Sequence, residues 1–344
     1  MKRKIRSFAA KVLKSSFFLE WVYNHYYRLR NKKVFIAEVE RRKRLSIFEY
    51  EALAKDIPFC PLENIKDSNY YGHAYSIKKY SGCNFISSGI EHGIYLGNRV
   101  SDAEKLRTTR SIIAMSQNRI DSFKEHAINK PVLAIGPYIH YAQPLMEDEA
   151  YCKLKKELGK VLLVFPFHSG IFKTMSFDMD LLISKIEEYR IGFDTVLVCL
   201  HHLDVTKNNQ YTSVYKEKGY RIVCAGHKYD LNFLSRLKSI IGLSDFVLSN
   251  SIGTQIGYCA YMNKPQIIIY DENSLTALNY LNLYSNDSAK LAYDQTMEII
   301  QAFKESDDRI TTDIQKQVLE KYWGHSFVKS PDEMKRAIEI LNER

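Results

Sequence analysis

Nowhere in these 344 residues do about 18 apolar residues run together, so no segment is expected to cross a bilayer as a helix. The six cysteines (Cys60, Cys83, Cys152, Cys199, Cys224 and Cys259) are never closer than 23 residues, and no Cys-x-x-Cys occurs. That spacing disfavours zinc and reads as buried, reduced thiols of a cytosolic protein. A Gly-x-Gly-x-x-Gly after a strand, a Gly-x-x-x-x-Gly-Lys-Ser/Thr loop and a Gly-x-Ser-x-Gly elbow are all missing. Nicotinamide dehydrogenases, P-loop enzymes and α/β-hydrolases are therefore disfavoured. There is no internal repeat and no low-complexity linker. Asp178-Met179-Asp180 has a metal-binding spacing, but it opens an amphipathic helix (Leu181, Leu182, Ile183, Ile186), where acids serve as caps. No metal and no other cofactor are expected.

What is present is a soluble, globular composition, 45% hydrophobic and 26% charged, with a net charge of +9. The charge is concentrated. Residues 1–45 hold 14 Lys/Arg against three Glu, leaving 35 basic and 37 acidic residues beyond them. With a nearly neutral body, the basic balance gives no argument for nucleic acid. In the tail, Ile5, Phe8, Ala9, Val12, Leu13 and Phe17 recur at helical spacing among Lys2, Arg3, Lys4, Arg6, Lys11 and Lys14. Phe18, Leu19, Trp21, Val22, Tyr26 and Tyr27 continue the pattern. Lys11 and Lys14 interrupt the apolar stretch, so it does not read as a signal peptide. A basic amphipathic helix over residues 1–33, associating with an anionic membrane surface, is the expectation. A helix packed on the protein's own core with a solvated basic face is the alternative.

Beyond the tail, residues 36–56 carry a charged helical pattern, and Pro58, Pro61, Gly72 and Gly82 punctuate an irregular stretch over 57–83. Strands are expected near 84–88, 111–115 and 132–135, then at 161–165, 195–200, 221–225, 245–249 and 266–270. Helical patterns separate the second set, as in parallel sheets wound by right-handed crossovers. The expected division is a basic segment 1–45, an α/β domain 46–158, a second α/β domain 159–330 and a terminal helix 331–344. Such domains leave a cleft between the carboxyl ends of their strands.

The most informative stretch is Phe246–Tyr258. A strand-type run ends in Ser249-Asn250-Ser251-Ile252-Gly253-Thr254, and a helix-type run follows. A helix starting there aims unpaired N–H groups and a positive dipole end at the turn, which suits phosphate; an ordinary N-capped helix fits the same residues. Polar residues also follow the other strands: His168-Ser169-Gly170, His201-His202 and Gly226-His227-Lys228. Ser249, Asn250, Ser251, Gly253, Thr254, His227, Lys228, His168 and Ser169 are the expected donor-phosphate residues. In the first block, Glu91-His92-Gly93 carries the candidate base. His92 has an intrinsic pKa suited to deprotonating a hydroxyl, with Glu91 as an alternative base or an orienting group. A structural, hydrogen-bonded histidine remains the competing reading. Tyr23, Tyr26, Tyr27, Tyr70, Tyr71 and Tyr75 form either an interfacial or acceptor-facing surface or ordinary packing.

In this order the features resemble the two-domain nucleotide-sugar transferases of the GT-B fold. More narrowly, they resemble the CDP-glycerol glycerophosphotransferase and polysialyltransferase relatives that build capsule, lipopolysaccharide and teichoic acid. The resemblance runs over about 84–270. It rests on His92-Gly93, on Ile112–Ser116 through Val132–Pro137, on Ser244-Asp245-Phe-Val-Leu-Ser249-Asn250-Ser251, and on Gly257-Tyr258 with Lys264-Pro265. Two features depart from the pattern. Gly136-Pro137-Tyr138 stands where relatives often have Gly-x-Pro-Arg, and Gly226-His227-Lys228 stands where a His-Pro pair is usual in CMP-sugar users. The resemblance implies an α/β, GT-B-like enzyme with two Rossmann-like domains. It would transfer a sugar from a nucleotide-sugar donor to a hydroxyl of a glycan or lipid-linked acceptor at the inner face of the cell membrane. Phosphopolyol transfer from a CDP-alcohol and nucleotide-sugar epimerisation are the alternatives.

Overall fold

A computed structural model describes residues 17–106, 108–168, 177–207, 209–270, 286–304 and 312–343. The expected tail helix over residues 1–16, and Ser169 of the candidate phosphate set, lie outside them.

Two parallel sheets organise the chain. The first contains β1 (Gly89–Ile90), β2 (Ile112–Ala114) and β3 (Val132–Ala134) in that order. The second contains β4 (Val161–Phe165), β5 (Thr195–Cys199), β6 (Arg221–Val223), β7 (Phe246–Ser249) and β8 (Gln266–Ile268), in the order β6-β5-β4-β7-β8. From β4 the chain winds outward to β5 and β6, then returns to the other side of β4 as β7. Strand direction of travel reverses between β4 and β7, where Phe165 pairs with Ser249. In open α/β sheets, loops leaving the carboxyl ends of such a pair diverge and leave a crevice.

The sequence of β4, Val161-Leu-Leu-Val-Phe165, is apolar throughout because both faces are covered. Leu162 and Val164 join a cluster with Leu182, Ile186, Tyr215 and Tyr220 on one face. Val161, Leu163 and Phe165 point the other way, into a cluster that runs on to Ile90, Ile113 and Ile135 of the first sheet. One hydrophobic core therefore joins the two sheets.

The expected first strand near 84–88 is shifted to Gly89–Ile90. Residues 85 and 87 are held instead by the far end of the chain: Ser87 N–H donates to Asn342 Oδ1 at 2.8 Å, and Asn342 Nδ2 donates to the Phe85 carbonyl at 3.0 Å. That partner comes from the helix Pro331–Glu343, which packs against His73–Ser81. The charged pattern of 36–56 is divided between a long helix, Phe17–Lys43, and a short one, Tyr50–Ala54. Tyr50, Leu53 and Ala54 pack into the core of the second sheet.

The helix Asp313–Trp323 buries Trp323 completely. A Cβ at position 257 would come within 2.1 Å of the Trp323 ring, so the helix Thr254–Tyr261 packs only because Gly257 has none. Overpacking of this kind commonly costs about 1–3 kcal/mol. We expect Gly257→Ala to lower the denaturant midpoint by a corresponding amount. Unchanged unfolding would show that the indole moves aside freely.

Candidate functional site

A cavity of about 860 Å³ opens between the two sheets, within the range of pockets that hold nucleotide-sized ligands. Its walls come from the loop after β1 (His92–Leu96), the segment 65–73, the loops after β4, β5 and β6, and the turn after β7.

The loop after β1 and the turn after β7 touch. Ile94 N–H donates to Thr254 Oγ1 at 3.2 Å, and a Cβ at Gly93 would lie 2.8 Å from the same oxygen. His92 thus lies two residues before the Ile94 that binds the first residue of the helix Thr254–Tyr261, and both line the cavity. Gly253 caps that helix without a side-chain hydrogen bond, and Gly253, Thr254 and Gln255 line the cavity. The first N–H groups of a helix have no partners within it and carry the positive end of its dipole.

His92 is half-buried, with Nδ1 3.1 Å from the Tyr95 hydroxyl and 3.9 Å from Asp67 Oδ2. Tyr70 presents its edge to the imidazole at a centroid distance of 5.7 Å. Burial pushes the His92 pKa below the usual imidazole range, and Asp67 opposes that shift. A neutral ring with Nδ1 held by Asp67 and Tyr95 keeps a lone pair on Nε2, the arrangement of a general base.

Glu91 lies elsewhere. It is buried, with Oε1 2.8 Å from Arg119 Nε; Arg119 also donates to the Arg99 carbonyl and stands 3.5 Å from Glu104. Burial holds the Glu91 carboxyl up at about 8 against the pull of Arg119. The Arg119 guanidinium lies 4.7 Å from the Tyr95 ring centroid, so this buried group supports the tyrosine that meets His92.

The other candidate residues separate into two groups. Thr254, Gly253 and His168 share the cavity with His92. Ser249 is the buried last residue of β7, with Oγ unpartnered. Asn250 is buried and accepts the Phe167 N–H through Oδ1 at 2.6 Å, tying the β4 and β7 loops together. Ser251 is half-buried, and its carbonyl accepts from Gln255 Nε2 at 3.3 Å. His227 is buried beside the cavity, with Nε2 3.6 Å from Asp56, and burial drives its pKa down to about 4. The Lys228 ammonium lies 5.0 Å from the Tyr70 ring centroid, and burial, then Lys66, lowers its pKa.

Histidines from three strand ends form a continuous row. His168 stacks on His201 at 4.5 Å, His201 lies 4.2 Å from His202, and His202 lies 4.6 Å from His227. Both ring nitrogens of His201 and Nδ1 of His202 are buried without partners. Burial pulls His201 well below the imidazole range and His202 to about 2, so these two rings are uncharged at neutral pH. Neutral imidazoles with unmade hydrogen bonds in a cavity wall suit a polar ligand. Among the described residues, no group of three or more His, Cys, Asp or Glu has metal-binding geometry.

Several cavity side chains escaped the sequence reading. Asp67 sits in the irregular 57–83 stretch, where no periodicity or motif distinguishes it. Tyr95 is three residues past His92, a signal that spacing alone could have supplied. His73 lines the cavity with Nδ1 unpartnered, and burial takes its pKa to about 3.

Fold and site together define a two-sheet α/β protein with a largely apolar cavity, carrying several polar side chains, at the carboxyl ends of its strands. No protein-family model matches the chain, and no curated protein matches it in sequence. Among solved structures, the wall teichoic acid polymerase TagF is 12% identical, over 74% of this chain and 67% of that one, with a TM-score of 0.38. A substituted form of TagF matches over the same shares at 12% identity, with a TM-score of 0.41. MnaA of S. aureus, in a structure with UDP, is 17% identical over 69% of this chain and 60% of that one, with a TM-score of 0.33.

The geometry around His92 is open to a direct measurement. In an NMR titration, His92 is expected to titrate below the ordinary imidazole range, and Asp67→Asn should move it lower still by removing the carboxylate. A shift upward, or none, would disprove the Asp67–His92 coupling.

Proposed function

We propose that the protein is a GT-B-type glycosyltransferase that moves a sugar from a nucleotide-activated donor to a hydroxyl of a bacterial surface glycan or its lipid-linked precursor. The observation that carries this reading is that His92 and the start of the helix Thr254–Tyr261 line one cavity, tied together by the hydrogen bond from Ile94 N–H to Thr254 Oγ1. A base and an anion-holding helix terminus lining one substrate-sized space are what group transfer to a hydroxyl requires.

His92 Nε2 takes the acceptor's proton while Asp67 offsets the developing imidazolium charge. The acceptor oxygen bonds to the anomeric carbon, and that carbon's bond to the phosphate oxygen breaks. The electron pair leaves with the nucleoside phosphate. Backbone N–H groups at Gly253–Gln255 and the His168 and His201 side chains face the departing anion, and Lys228 adds positive charge on the Tyr70 side. Removing one such donor or base typically costs 10²–10⁴-fold in rate.

Nucleotide binding is tested by thermal shift with CMP, CDP, UDP and GDP. Ligand at about 100 times its dissociation constant adds about 2.7 kcal/mol, a readily measured rise. Stabilisation by none of the four would sink the reading. A response confined to cytidine nucleotides would direct product analysis to CDP-alcohols and phosphopolyol transfer. In a turnover assay, folded His92→Ala should lose about 100-fold or more. Wild-type turnover should fall as pH drops through the depressed His92 pKa, because the protonated ring accepts nothing. An acidic limb above the ordinary imidazole range would assign the base elsewhere.

A further inference from the structure

The first half of the helix Phe17–Lys43 packs on the body with polar side chains. Asn24 donates to the Asn64 carbonyl at 2.8 Å, Arg28 to the Pro61 carbonyl at 2.9 Å, and Asn31 to the Phe59 carbonyl at 2.7 Å. These residues fall on one stripe with the buried Phe35, Val39 and Arg42. Arg42, held by Glu38 and the Leu53 carbonyl, fixes the helix's far end. On the opposite side, Phe18, Val22, Tyr26, Leu29 and Ile36 form an outward row, with Phe18 65% and Leu29 72% exposed. At 1.5 Å per residue this row is about 27 Å long. Over residues 18–31 this is the reverse of a helix packed by its apolar face, whereas Phe35 and Val39 pack in the usual way on Ile57 and Cys60.

We infer that this outward face seats the protein on an anionic bilayer. The charge argues for that occupant over a second copy of the chain. Arg30, Lys32, Lys33, Arg41 and Lys43 are exposed on the same helix, and residues 2–14 add six more basic residues with no acid. Two such surfaces brought face to face would repel, whereas anionic headgroups attract basic side chains while their acyl boundary takes up the apolar row.

The seat also orients the cavity. Glu20, on this helix, lines the cavity wall. A run of aromatic rings leads inward from the helix: Tyr27 to Phe59 at 5.5 Å, Phe59 to Tyr229 at 5.4 Å, Tyr229 to Tyr70 at 5.6 Å, and Tyr70 to His92 at 5.7 Å. The inference stands without the transferase reading; if both hold, the bilayer lies on the side from which a membrane-borne acceptor reaches His92.

Co-sedimentation with vesicles tests it, using phosphatidylcholine alone and phosphatidylcholine mixed with an equal part of phosphatidylglycerol. The whole chain is expected on the mixed vesicles and not on the neutral ones. The variant Phe18→Glu/Val22→Glu/Leu29→Glu, altered only at exposed positions, should bind about tenfold or more weakly. A fluorescence readout is built in, since Trp21 is exposed and Trp323, the other of the two tryptophans, is fully buried. Trp21 emission should shift to the blue on mixed vesicles. Equal vesicle binding by the triple variant, or unshifted Trp21 emission, would overturn the proposal. So would a lipid-free dimer, seen by light scattering, that the triple variant abolishes. The triple variant should keep any nucleotide-induced thermal shift, so failure of the seat and failure of the donor site are read separately.

Discussion

The hydrogen bond from the Ile94 N–H to Thr254 Oγ1 joins the loop after β1 to the helix that follows β7. It forms only because Gly93, beside it, leaves room for the threonine hydroxyl. Most of the site's geometry follows from this contact. It ties the loop that carries His92 to the open first turn of a helix, at the carboxyl edge of the sheets, where their topology already leaves a crevice. The continuous apolar core that includes Ile90, Ile113, Leu163 and Val247 braces the contact from behind.

Burial without compensation is the second organising feature. His73, His201 and His202 all have unpartnered ring nitrogens, and burial lowers the pKa of each. A protein interior normally satisfies its polar atoms, and the open nitrogens of His73 and His201, which line the cavity, are an expense that a bound polar group would offset. The charged groups nearby are treated differently. Arg119 meets both Glu91 and Glu104, while Arg236 meets Asp230 at 2.9 Å with neither side chain exposed. Paired acidic and basic groups thus build the frame, while the unpartnered imidazoles of His73 and His201 line the cavity.

Much of the architecture was legible along the chain. The apolar runs of β4, β5 and β7 sit within a residue of their expected bounds because strands covered on both faces need continuous hydrophobicity. The stretch Ser249–Thr254 was recognisable as a strand-to-helix turn from its hydroxyl and glycine content. Its division of labour was not. Ser249 and Asn250 are buried, while Gly253 and Thr254 line the cavity. The turn's rotation relative to the sheet decides which side chains point inward, and composition does not encode it.

Local periodicity in the sequence determined the strands, the turn chemistry and the apolar and basic content of the first 45 residues, since each depends on near neighbours. Tertiary structure alone decided which face of the helix Phe17–Lys43 turned inward, because carbonyls of residues 59–64 captured Asn24, Arg28 and Asn31. It also brought Asp67 to His92 across 25 positions and linked Ser87 to Asn342 across 255. Such pairings follow from how the elements pack, and no local pattern of residues records which distant group will fill a given vacancy.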